Sequence, residues 1–217
     1  TNAFGRVRHK IIIKELRKIK EIRRLADYIE VFLKWTRIKY EDENGKIKKR
    51  QIVRGVPQGD PLSMTLFGLA LNRVIRKMKK EIVEDSEYDI VAYADDIVLI
   101  TESKESMQTL MEIFIKEADK IGLIMNKEKT KRYTTKEHDD EEYESLNSTA
   151  MEYLGIPLSN NINKVTEFVN NFLETIYTCA EKLRNCNNLS IQARFHIYQV
   201  CVLSKVIYMF RGVDIGN

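Results

Sequence analysis

The chain is 217 residues long, 43% hydrophobic and 31% charged, with a formal net charge of +4. This is enough apolar material for one or two packed domains, and the charge excess is too small by itself to name a polyanionic partner. Three cysteines without paired spacing, three scattered histidines and no apolar run of membrane-spanning length argue against a disulfide-stapled domain, a zinc module and a helical membrane protein.

Cys179, Cys186 and Cys201 each lie in an apolar helical pattern, so buried thiols in a reducing, intracellular compartment (cytoplasm or nucleus) are expected. The basic residues are clustered at 6–24, 46–54, 76–80 and 127–136. Clustered Lys and Arg can track a phosphate backbone, although part of this is ordinary helix-surface charge. The sequence begins without an initiator Met and already inside patterned residues, as expected of a fragment of a longer protein.

In chain order, Ala3-Phe4-Gly5-Arg6-Val7 reads as a strand end running into a turn. Ile12, Leu16, Ile19, Ile22, Leu25, Ile29 and Leu33 recur every three or four residues, which predicts one helix over 11–35 or two with a break near Arg24. Residues 36–40 and 46–53 read as strands joined through Asn44-Gly45, a strong hairpin signal. Next comes Arg54-Gly55-Val56-Pro57-Gln58-Gly59-Asp60-Pro61-Leu62-Ser63. Asp60 followed by Pro61 is an N-cap with proline at the first helical position, and Leu62, Leu66, Phe67, Ala70, Leu71, Val74, Met78 and Ile82 form one apolar face behind it. Gly55 and Gly59 leave that loop bare enough for a ligand to approach its backbone.

Residues 90–100 are two apolar runs around Asp95-Asp96, which predicts two buried strands and a tight hairpin whose turn is the acidic pair. Adjacent carboxylates disfavour each other's ionisation unless a cation compensates them, and such oxygens suit magnesium. A solvated hairpin tip is the alternative, and these residues alone weigh the two equally. A helix over 106–121 ending at Gly122 follows, then an acidic run at 137–144 expected as a solvated loop or hairpin tip. Met151-Glu152-Tyr153-Leu154-Gly155-Ile156-Pro157 is a strand and turn, and helices are predicted over 163–183 and 190–210.

The Gly55–Ser63 loop with Leu66-Phe67, followed by Tyr93-Ala94-Asp95-Asp96, resembles the palm of a reverse transcriptase. The Asp after Gln-Gly and the Asp-Pro-Leu-Ser ending are most similar to the non-LTR (LINE-like) retrotransposon branch, whereas group II intron enzymes more often carry a second Gly where Asp60 stands. Gly122-Leu123-Ile124-Met125-Asn126-Lys127-Glu128-Lys129-Thr130 is similar to the family's Gly-Leu-x-x-Asn-x-x-Lys-Thr segment, and Tyr153-Leu154-Gly155 to its Tyr-Leu-Gly turn.

The resemblance implies an α+β fold. Residues 1–158 would be a polymerase palm, N-terminally truncated and without fingers, built as a small antiparallel sheet backed by helices. Residues 159–217 would begin a thumb-like helical region. It implies an RNA-directed DNA polymerase that adds deoxynucleoside triphosphates to a DNA primer on an RNA template. Two magnesium ions, or manganese in their place, would serve it, within a polyprotein carrying further domains such as an endonuclease.

By the same resemblance, Asp95 is the indispensable metal ligand and Asp96 the more tolerant one. A third carboxylate stands in the family just ahead of the Ala matched by Ala3, upstream of Thr1, so the fragment is expected to be inactive alone. Phe4, beside Ala3, matches a steric gate against the ribose 2′-hydroxyl, with a plain core role as its rival. Pro57, Gln58 and Gly59 would lie along the templating pair and the primer–template, Gln58 also beside the incoming nucleotide. Tyr93 would support the primer terminus or pack beneath the turn. Lys129 matches a lysine near the leaving pyrophosphate, or is one exposed loop lysine among several. Tyr153, Leu154 and Gly155 would hold the primer strand, with a simple turn as alternative. Two rivals to the whole reading remain: a non-catalytic or decayed nucleic-acid-binding palm, and a group II intron-type maturase.

Overall fold

A computed structural model describes residues 3–82, 87–136 and 142–213, and the chain divides into two units, Thr1–Lys127 and Glu128–Asn217. The first unit is organised on one long helix, Pro61–Glu81. Residues 3–7 form a turn closed by Arg6 N donating to Ala3 O (3.1 Å) rather than a strand. Helix α1 (His9–Leu16), a 3₁₀ turn (Lys20–Ile22) and α2 (Arg23–Trp35) follow, so the chain breaks over residues 17–22, ahead of Arg24. The break lets two apolar stripes, Ile12, Ile13 and Leu16 on α1 and Ala26, Ile29 and Leu33 on α2, enter one core. A straight helix would carry one of them away from it.

Strands β1 (Arg37–Glu41) and β2 (Ile47–Gln51) pair antiparallel, and both are exposed along their whole length. Gly45 takes φ +74°, and the Asp42 carboxylate accepts from the N–H groups of Asn44 and Lys46. Asp60 then caps α3 (Pro61–Glu81), accepting from Leu62 N at 2.8 Å. Leu66, Phe67, Ala70, Leu71, Val74 and Met78 are buried, whereas Leu62 in the first turn stays exposed. α3 packs against α1 and against the later helix Lys104–Ile121. Between α1 and α3 the Glu15 carboxylate is buried, with Lys18 (2.7 Å), Arg73 (3.0 Å) and Arg76 (2.7 Å) around it. Strands β3 (Tyr88–Tyr93) and β4 (Asp96–Thr101) form a second hairpin. Helix α4 (Lys104–Ile121) opens on a Ser103 cap and closes on Gly122 at φ +92°.

The second unit begins with two short strands, β5 (Tyr133–Thr134) and β6 (Glu144–Ser145), paired parallel. Glu144 therefore belongs to a strand and not to a hairpin tip; residues 137–141 of the acidic run lie outside the described residues. Strands β7 (Met151–Tyr153) and β8 (Ile156–Leu158) make an antiparallel hairpin. Helix α5 (Ile162–Arg184) is capped by Asn161. The last expected helix is interrupted: α6 (Ile191–Ile197) passes through a π-helical segment (Tyr198–Leu203) into α7 (Ser204–Gly212). Val165, Val169, Met209 and Val213 are the core here, with Ile156, Phe168 and Phe172 against them.

The cysteines correct the expectation of buried thiols: Cys179 and Cys201 are exposed and Cys186 half-buried, all unbridged. The helices of this unit bury only narrow strips, Val165, Val169 and Ile176 on α5 and Val202 and Met209 further on, so much of their apolar pattern faces outward. The fold is a mixture of helices and short two-stranded sheets. Among the described residues, no helix is long and apolar enough to cross a membrane.

Candidate active site

The acidic pair sits on the β3–β4 hairpin, one residue displaced from its expected place in the turn. Register pairs Tyr93 with Asp96, Ala92 with Ile97 and Ile90 with Leu99, so Ala94 and Asp95 form the turn and Asp96 begins β4. Alternation decides this, because a slip by one residue would turn the inner row outward. Tyr88, Ile90, Ile97 and Leu99 pack on the core of the first unit. The strands are not buried on both faces as expected: Val91, Tyr93 and Ile100 are exposed on the outer row. A two-stranded hairpin backed by a core on one side can bury only alternate residues.

Ala94 takes φ +54°, a left-handed conformation that costs an L-residue about 1–2 kcal/mol. Strain of this kind persists where the surroundings over-determine it and concentrates at functional turns. Asp95 and Asp96 are exposed, and among the described residues neither carboxylate has a hydrogen bond or an ion pair. Two uncommitted hard oxygen donors fit magnesium, which is usually held by one or two carboxylates, waters and substrate phosphates.

The other aspartates of interest are occupied. Asp42 is paired with Lys48 at 2.8 Å, Asp60 caps α3, and Asp89 accepts from its neighbour Ile90 N at 2.7 Å. Among the described residues no cluster of three or more candidate metal ligands occurs.

A second group is built by the N-terminal turn closing on the loop before α3. Val56 N donates to Phe4 O (2.8 Å), Gly55 N to Val7 O (2.7 Å) and His9 Nε2 to Gly55 O (2.7 Å). Gly55 has φ +82°, and a Cβ there would stand 2.5 Å from the backbone of Gly5, so the two chains cross with no room for a side chain. Ala3 and Phe4 lie half-buried on the same core as the hairpin. Phe4 stacks on Phe67 of α3, with centroids 4.4 Å apart.

The buried Ser63 hydroxyl donates to Pro57 O in a short hydrogen bond, pinning the loop that leaves Gln58 and Gly59 exposed. Gly59 has φ +86° and open space around its Cα.

The remaining predicted residues belong to the second unit. Lys129 is exposed in a turn. Leu154 (φ +52°) and Gly155 (φ +80°) form the two-residue turn between β7 and β8, and Tyr208 Oη donates to Leu154 O at 2.7 Å. Two successive left-handed residues give the turn that matches strand twist, and this explains Gly155.

A family model described as reverse transcriptase (RNA-dependent DNA polymerase) matches residues 1–158. The chain belongs to the reverse transcriptase family. Among curated proteins it is similar to the retrovirus-related Pol polyprotein from type-2 retrotransposable element R2DM of Drosophila melanogaster. That match is 29% identical over 132 residues, covering 59% of this chain and 12% of the relative.

It is also similar to the Pol polyproteins from type-1 retrotransposable element R2 of Nasonia vitripennis and Bradysia coprophila. The first is 30% identical over 109 residues (49% of the chain, 11% of the relative), and the second 31% over 134 residues (59% and 15%). The chain thus spans a small part of the length of these relatives. The non-LTR resemblance carried by Asp60 and the Pro-Leu-Ser ending agrees with all three.

Within this reverse transcriptase domain, sequence reasoning missed the residues that hold the loops rather than line them. Ser63 was visible as the end of the Asp-Pro-Leu-Ser run, and its hydroxyl proves to be the strut under Pro57. His9 gave no local signal, because its partner is 46 residues away.

Proposed function

We propose that this chain is the palm and the start of the thumb of an R2-like, RNA-directed DNA polymerase, residues 1–158 and 159–217 respectively. The observation that carries the reading is the strained β3–β4 turn presenting Asp95 and Asp96, exposed and uncommitted, within a domain of this family. Asp95 and Asp96 would hold the divalent ions, magnesium or manganese, which when bound neutralise phosphate charge and orient the reacting oxygens.

The chain's own residues then do the positioning. The Phe4 ring would exclude a ribose 2′-hydroxyl, a role supported by its fixing on Phe67 and by the backbone bond to Val56. Gln58 and Gly59 meet the incoming nucleotide and the templating pair from a loop held rigid by Ser63 and Asp60. Tyr93, beside Asp96 in register, supports the primer terminus, and the Tyr153-Leu154-Gly155 turn holds the primer strand. Lys129 neutralises the departing pyrophosphate. The template is RNA, the primer DNA, and the site of action is intracellular, in a polyprotein with further domains.

Among the described residues, Asp42, Asp60 and Asp89 have other partners and none joins the pair as a third carboxylate, so the 217 residues alone are expected not to polymerise. The test is primer extension on an RNA template by a longer version of the protein that includes the preceding residues. Asp95→Asn should abolish extension and Asp96→Asn weaken it. Extension by the Asp95→Asn protein would overturn the assignment, and nucleic-acid binding with no extension by the parent would favour a non-catalytic or decayed palm.

A further inference from the structure

The β1–β2 ribbon carries a charge pattern that the polymerase site does not explain. Residues 36–54 hold seven Lys and Arg (Arg37, Lys39, Lys46, Lys48, Lys49, Arg50, Arg54) against three acidic residues, an excess equal to the net charge of the whole chain. Register places Lys39 directly opposite Lys49. Like charges facing each other across two strands destabilise a ribbon. This ribbon has no core to offset them, since every residue of both strands is exposed.

Elsewhere in the unit several cations face carboxylates: Arg17 with Asp27 and Glu30, Arg73 and Arg76 with Glu15, Lys116 with Glu81. On the ribbon Lys48 is paired with Asp42, but among the described residues Lys39, Lys46, Lys49, Arg50 and Arg54 make no ion pair.

An aromatic side chain stands at the root of the same face. Trp35 ends α2 with 60% of its surface exposed, and the Arg37 guanidinium lies over its ring at 5.1 Å from the centroid. Arg37, Lys39 and Lys49 share one face by strand alternation. The ribbon root is anchored: Gln51 Nε2 donates to Lys34 O (2.8 Å) and Ile52 N to Thr36 O (3.1 Å). From Gln51 the chain runs directly into the loop carrying Gln58.

A row of unmatched cations beside a flat aromatic is what a single nucleic-acid strand needs. Cations follow its phosphates, and a ring takes an unpaired base irrespective of sequence. We propose that this face of the ribbon binds single-stranded nucleic acid, with phosphates along Lys39 and Lys49 and a base stacked on the Trp35–Arg37 pair. In an enzyme of the proposed function the strand would be unpaired template ahead of the active site, so the inference rests on that reading for its role but not for its test.

Trp35 is the only tryptophan in the chain, so its fluorescence reports on this surface alone. The 217-residue chain is titrated with a short fluorescein-labelled single-stranded RNA. Binding should quench Trp35. Trp35→Ala should weaken affinity roughly tenfold, as loss of one stacked base does. Lys39→Gln with Lys49→Gln should weaken affinity and lower the slope of log affinity against log salt by about 1.4, as loss of two single-strand phosphate contacts does.

Binding with unchanged Trp35 emission, and with affinity and slope indifferent to Lys39 and Lys49, would overturn the proposal, as would no binding. Equal affinity for the matching duplex, or displacement of the RNA by polyglutamate with the same Trp35 response, would also overturn the assignment to a single strand of nucleic acid. The Lys116→Gln chain, which loses a surface ion pair with Glu81, should bind and quench as the parent does, and a loss equal to that of the ribbon variants would overturn the assignment to this face.

Discussion

The ring of Phe4 lies flat on the ring of Phe67, with planes 14° from parallel, and ties the N-terminal turn to the first turns of α3. Phe67 is 1% exposed, so Phe67→Ala should cost about 3–5 kcal/mol in urea unfolding followed by helical signal. Phe4 is half-buried, and Phe4→Ala should cost less, about 1–2 kcal/mol. In a longer, active version the same change should admit ribonucleotides. Lowered stability with unchanged sugar selection would leave Phe4 as a packing residue only.

Gly55 and Gly59 both have positive φ, but their surroundings differ. A methyl on Gly55 meets the backbone of Gly5 at 2.5 Å, whereas nothing stands within 4 Å of one on Gly59. Gly59→Ala should cost only the conformational term, about 1 kcal/mol. Gly55→Ala should cost clearly more and free the N-terminal turn, seen as faster amide exchange at Val56, whose N–H donates to Phe4 O. Equal losses in the two variants would contradict the close crossing.

The Glu15 carboxyl is pulled in two directions: burial raises its pKa, and the hydrogen bonds and charges of Lys18, Arg73 and Arg76 lower it further, leaving it below its ordinary 4.5. Folding therefore releases protons in that range, and the stabilising effect is complete above about 4.5 and lost as pH falls through the lowered value. The parent should lose stability on acidification below 4.5 more steeply than Glu15→Gln. At neutral pH that variant should be weaker by about 2 kcal/mol, having lost charge-assisted hydrogen bonds. Parallel pH profiles would refute the account.

Asp95→Asn should leave stability within about 0.5 kcal/mol of the parent, since the carboxylate is exposed and unpartnered in the described structure. Thermal melts of the two chains would show it. A large destabilisation would mean that Asp95 works as a turn residue, and loss of extension could no longer be read as loss of a metal ligand.

Much of the first unit was legible because its signals are local. Asp60-Pro61 caps α3, Asn44-Gly45 makes the β1–β2 turn and Gly122 ends α4, each through the backbone angles or side-chain oxygen of the residue itself. The acidic turn was misplaced by one residue because Asp-Asp has better turn chemistry than Ala94-Asp95. The inner row Ile90, Ile97 and Leu99 outweighs that preference.

Apolar content alone did not reveal which faces would be covered, so Val91 and Ile100 on the hairpin and the cysteines of the second unit were expected inside. His9 and Ser63 act on backbone carbonyls reached only after folding. The membership of the family was readable from two short stretches, Gly55–Ser63 and Tyr93–Asp96, whose residue order a plain turn does not require.

The π-helical segment Tyr198–Leu203 has a consequence for how the second unit keeps its parts in phase. A π turn takes one residue more than an α turn, and each residue in a helix rotates the next by about 100°. The wider turn absorbs the surplus residue, so Met209 and Val213 keep the phase that lays them on Val165 and Val169. Deleting one residue between 198 and 203 should therefore give a regular α-helix that keeps the downstream phase and leaves Tyr208 on Leu154 O, whereas deleting one between 204 and 207 should turn Tyr208 away by about 100°. The irregular turn is therefore the one stretch of this helix where a residue can be lost without moving the tyrosine that holds the Tyr-Leu-Gly turn.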